Sequence, residues 1–145
     1  MTTEVTPQRA QRGPRPSGCW QATVLSVPLL SVTAIVSFFV SVSLSNGHHE
    51  FQSTACRYTL LPWTHFAVAY GGMTAAILAV AVHLLMFRSA RRAGQDPNRG
   101  WQSLVSTLFF VIACLMILLT AGMVVVAHMD AAHAAANFGK PICEG

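Results

Sequence analysis

Three uncharged apolar runs, Ala22 to Leu44, Phe66 to Phe87 and Leu104 to Ala127, alternate with polar stretches along this chain. Each run is 22–24 residues long. At about 1.5 Å rise per residue that gives roughly 33–36 Å of helix, enough to cross a hydrocarbon core of about 30 Å. None of the runs has the charged face by which a surface helix of a soluble protein meets water. The pattern predicts an all-α membrane protein, a bundle of three transmembrane helices over about 22–44, 64–87 and 101–128. A loop over 45–63, a loop over 88–100 and a tail over 129–145 complete the expected domain, 19–145. Ser45-Asn46-Gly47 reads as the stop of the first helix, and Pro62-Trp63 as the start of the second.

Composition agrees with a membrane reading. Only 10% of the 145 residues are charged and 53% are hydrophobic, against about 25% and 45–50% in an ordinary soluble domain. The net charge of +4 invites a nucleic-acid partner, but its distribution argues against one. Arg9, Arg12, Arg15, Arg88, Arg91, Arg92 and Arg99, seven of nine cations, flank the apolar runs on two segments that lie on one side; only Arg57 and Lys140 lie on the other. That bias predicts a cytoplasmic N-terminus and 88–100 turn, and an extracytoplasmic C-terminus. The arginines then meet anionic head groups of the lipid bilayer.

Residues 1–18 are polar, carry Pro7, Pro14 and Pro16, and show no apolar periodicity. They read as a disordered basic cytoplasmic tail. The first apolar run is too long for the h-region of a cleaved signal peptide, about 7–15 residues, despite the small residues Ser41 and Ser43. It reads as an uncleaved anchor.

Small residues predict where the helices pack. Thr33, Ser37 and Ser41 recur every four residues on the first helix. On the second, Gly71, Ala75 and Ala79 form one row, with Gly72 and Ala76 beside it. Such rows let backbones approach closely in lipid. His83 follows the same close-packed face, and a hydrogen-bonded layer of Ser26, His83 and Thr107 (or Ser106) is expected to set the rotation of the three helices. Proton relay by His83 is the functional rival, with no intramembrane carboxylate to receive the proton.

Cys56 and Cys143 are each the only cysteine of their outer segments, which makes a Cys56–Cys143 disulfide the economical pairing in an oxidising compartment. Cys114 reads as a small buried apolar side chain. Cys19, at the membrane edge, is a candidate for acylation. Five of six histidines, His48, His49, His65, His128 and His133, fall on the outer side. They offer imidazoles for Cu or Zn, and His65 with His128 offers a pair for haem b. Their spacing is poor for either group: His48 and His49 are adjacent, and His128 and His133 do not share a helix face. No cofactor is therefore expected.

There is no phosphate-binding loop, no G-x-S-x-G, no H-E-x-x-H and no internal repeat. The expectation is a structural, accessory or assembly subunit that packs on a larger membrane protein or on copies of itself, and no enzyme signature appears. A haem- or metal-handling redox protein and a minimal oligomeric transporter are the alternatives. The Arg-rich tail and the Ala- and Val-rich spans are similar to those of small membrane proteins from high-GC bacteria, which points to a bacterial inner (plasma) membrane.

Overall fold

The computed structural model describes residues 18–92 and 101–143, with side chains over 25–92 and 104–143. The expected features of 1–17, of 93–100 and of the Cys19 side chain lie outside the described residues. Three helices make up the fold: α1 (Gly18–Ala55), α2 (Trp63–Arg92) and α3 (Trp101–Ala136). Each is long and apolar enough to cross a membrane, and each packs against the other two.

The helices are longer than the apolar runs. α1 passes straight through Ser45-Asn46-Gly47, where the sequence predicts a stop, and ends at Ala55. Glycine inside a helix costs about 1 kcal/mol relative to alanine, and the contacts that the extra turns make around Gln52 outweigh it. Gln52 is buried, and its Nε2 donates to the Thr59 carbonyl at 3.0 Å. α3 likewise continues to Ala136, where Ala134 is buried against the bundle. Pro28 sits within α1 and removes one backbone donor there.

The inward faces share one spacing. On α1, Val27, Ser31, Ala34, Phe38, Ser41, Ser45, His48 and Gln52 alternate steps of four and three, and every one is buried or half-buried. His65, Ala69, Gly72, Ala76, Ala79 and His83 do the same on α2. So do Ser106, Phe109, Ala113, Met116, Thr120, Met123, Ala127, Asp130 and Ala134 on α3. A repeat of 3.5 residues keeps one seam of a helix facing its partners and supercoils the helices left-handedly. The core is built from small side chains, with Ala34, Ala75, Ala76 and Met116 at its centre and Leu30, Ile35, Phe38, Ile112 and Ile117 packed around them.

This seam corrects two packing expectations. Thr33 does not belong with Ser37 and Ser41: it is exposed and its hydroxyl returns to the Leu29 carbonyl. Each step of four overshoots a helical turn by about 40°, so a strict four-residue row drifts off the interface. Gly71 is also exposed, with open space where a Cβ would stand. Its neighbour Gly72 carries the close contact.

The two ends of the bundle differ. One carries Arg88, Arg91 and Arg92 at the end of α2, all exposed, with the Arg91 guanidinium 4.5 Å over the Phe87 ring. The other, here the cap end, holds the α1–α2 connection and the C-terminal tail. There the chain leaves α1 through Cys56 in the left-handed region (φ 50°), the position at which a helix commonly ends. After α3 it reverses through Gly139 (φ 78°). Tail and connection then pair as a one-residue bridge between Arg57 and Pro141. Two hydrogen bonds frame it, Ile142 N–H to the Cys56 carbonyl at 3.0 Å and Tyr58 N–H to the Lys140 carbonyl at 3.4 Å. The sulfurs of Cys56 and Cys143 lie at disulfide distance, their Cα atoms 5.1 Å apart.

Candidate functional site: a polar chamber at the cap end

The polar members of the three seams concentrate toward the cap. Ser41, Ser45, His48 and Gln52 descend one face of α1, His65 stands in the first turn of α2, and Asp130 lies on the last turns of α3. His65 is drawn inward because the connection delivers the helix start there, its backbone N–H bonding the Pro62 carbonyl at 3.1 Å. Its side chain is only 7% exposed. The ring meets that of His48 edge-on at 5.7 Å, and His48 Nε2 lies 3.0 Å from Gln52 Nε2. Gln52 thus joins the histidines to the backbone of the connection through Thr59.

Between the helices lies a cavity of about 10 Å³ lined by polar Ser41, Ser45, His65 and Asp130 and by apolar residues including Met123 and Ala127. Neither ring nitrogen of His65 and not the hydroxyl of Ser41, itself 4% exposed, has a hydrogen-bond partner among the described residues. Leaving such a group unpaired costs about 1–3 kcal/mol. Two of them facing one small cavity is the least satisfied spot in the described structure. At the rim Asp130 Oδ2 lies 3.7 Å from His49 Nε2.

The other histidines serve separate surroundings. His128 is exposed, bonded to the Val124 carbonyl and set edge-on against Phe66 and Tyr70. It therefore stands outside the bundle, whereas His65 stands inside, and the two rings do not face each other as the alternative of a haem b pair would need. His133 packs its ring on Tyr58. Among the described residues no three His, Cys, Asp or Glu side chains converge on a point that would suit a metal ion. The geometry brings His48, His49, His65 and Asp130 into one neighbourhood, with His49 paired to the acid rather than aimed at the other two.

At the opposite end His83 Nδ1 lies 2.9 Å from Ser106 Oγ and its ring stacks on Phe110 at 4.5 Å. The bond from His83 to α3 is thus made at Ser106, one residue before Thr107. Ser26 is half-buried and Thr107 exposed, and both have contacts of their own. A further inter-helix bond escaped the sequence reading. Ser31, fully buried, reaches the Phe109 carbonyl of α3 at 3.3 Å as well as its own helix at Val27. Its place in the four-three seam was the available signal. Cys114 is a free thiol, half-buried.

Comparison with protein-family models, with curated proteins and with solved structures finds no match.

Proposed function

We propose that this chain is a small multi-pass protein of a cell membrane, threaded with its arginine end in the cytoplasm and its cap outside. In this reading it serves as an accessory or assembly subunit of a larger membrane complex. One observation carries it. α3 has a second stripe of four-three spacing, turned away from the bundle: Leu104, Leu108, Val111, Leu115, Leu118, Gly122, Val125 and Met129, all exposed. Lipid requires only that such a stripe be apolar. A row of leucines and valines at coiled-coil spacing, broken by one glycine, also suits the knobs of another apolar helix.

The tight packing among the described residues supports the same view over transport. Ala34, Ala76, Ala79 and Ala113 have no exposed surface, and the cap-end cavity accommodates about one water. Work done by this protein is then done at its surface. The cap supplies a second surface outside the bilayer, where Phe51, Leu60, Trp63 and Phe138 are exposed.

Purification in mild detergent followed by native mass spectrometry tests the proposal. A stoichiometric complex with a larger membrane protein is expected, weakened by Leu115→Arg or Leu118→Arg on the stripe. A chain that runs only as a monomer at every detergent ratio would overturn it. A closed homo-oligomer would move the balance to the transporter reading.

A further inference from the structure

We propose that the cap-end cavity is a binding site for one water molecule, held by a ring nitrogen of His65 and the hydroxyl of Ser41. The observations are independent of any partner. His65 from α2 and Ser41 from α1 are each more than nine-tenths buried, and neither side chain has a protein partner among the described residues. Both line the same cavity, whose size of about 10 Å³ is that of a single-water site. A buried water makes about three hydrogen bonds, and the lining supplies the rest from the Ser45 hydroxyl on α1 and the Asp130 carboxyl on α3. All three helices therefore contribute polar groups to the lining of one cavity: Ser41 and Ser45 from α1, His65 from α2 and Asp130 from α3.

The chemistry selects water over larger solutes. A neutral imidazole offers one donor and one acceptor nitrogen, and serine offers both functions. Water alone matches that mixture within the volume. An apolar guest would leave the imidazole and the hydroxyl unpaired. The site makes His65 a positioning residue: through the water it ties α2 to α1 at the level where the bundle leaves the apolar layer.

The full-length protein, labelled with ¹⁵N-histidine and reconstituted in nanodiscs, provides the test. Magnetisation transfer between water and the His65 ring, with the sign of a long-lived bound water, is expected, along with a hydrogen-bonded shift for one ring nitrogen. Ser41→Ala should reduce the transfer at least threefold while the His48 signals stay in place; His65→Phe should abolish it. Ring nitrogens at unbonded shifts with no transfer, in a protein whose His48 and His83 signals show it folded, would overturn the site. So would a water signal left unchanged by Ser41→Val, which fills the cavity with carbon.

Discussion

Gly72 of α2 lies so close to Ser37 of α1 that a Cβ on the glycine would stand 2.8 Å from Ser37 Cβ and 3.4 Å from Thr120 Cγ2 of α3. The atom it would strike hangs directly on the α1 backbone, so no side-chain rotation relieves the clash. Gly72→Ala must push two helices apart, and overpacking of this kind costs about 1–3 kcal/mol. Gly71→Ala, next door and facing open space, should be neutral or slightly stabilising, since alanine favours helix more than glycine does. Thermal or SDS-induced unfolding in one detergent compares the two directly. Equal effects would show that α1 and α2 do not meet at Gly72.

At the arginine end the inter-helix bond between His83 and Ser106 should fix register more than it stabilises. Bonds of this kind average about 0.6 kcal/mol in membranes. Ser106→Ala and His83→Phe, the latter keeping an aromatic ring for Phe110 to stack on, should each cost about that much. The double variant should cost less than the sum, because the second substitution removes a partner already lost. Strict additivity would mean that the two side chains do not bond.

The three helices were legible in the sequence because uncharged apolar runs of 22–24 residues have the length and composition of membrane-crossing helices. Of the two small-residue rows expected on α2, Gly72, Ala75, Ala76 and Ala79 are buried in the structure, and Gly71 alone is exposed. The starts of α2 and α3 fell where the sequence puts them, at Trp63 and Trp101, but the end of α1 was not legible. Asn46-Gly47 is a good local stop, but the decision rests with Gln52 and Thr59, a tertiary contact that no local pattern encodes. The inward face of α1 was legible only in part: Ser41 is buried and Ser37 meets Gly72, but Thr33 is exposed. In a span where almost every position is apolar, hydropathy cannot tell lipid from core, and only the small and polar residues mark the seam. Read in fours, they lead from Thr33 to Ser41; read in alternating fours and threes, they lead from Val27 through Ser31 and Ser41 to Gln52. The chamber at His65 follows from that second reading.

Gly139 stands at φ 78° where the tail turns back toward Cys56. A side chain there costs about 1–2 kcal/mol, and space is not the obstacle, for nothing lies within 4 Å of its would-be Cβ. Gly139→Val should therefore leave the helices intact and loosen the tail. Limited proteolysis should cut near Lys140 several-fold faster than in the parent, while the unfolding temperature of the bundle changes little. An equal fall in both would show that tail and bundle unfold as one unit.

The arginine bias and the Cys56–Cys143 pair make one joint prediction. If Arg88, Arg91 and Arg92 hold their end in the cytoplasm, the cap lies in the compartment where disulfides persist, and the two sulfurs, at bonding distance, should be bridged. An epitope fused after Gly145 should be reached by antibody on intact spheroplasts, and alkylation before reduction should spare Cys56 and Cys143. For a bridge of this span the chain-entropy account gives about 4–5 kcal/mol. Inserted helices already restrict the unfolded chain, so Cys56→Ser with Cys143→Ser should cost well under that, and most of the change should appear as tail mobility. Free thiols together with a buried epitope would reverse the threading, because a reducing cytoplasm would then surround the cap. Free thiols with an accessible epitope would keep the threading and remove the staple alone, leaving the Arg57–Pro141 bridge and its two backbone hydrogen bonds to hold the tail.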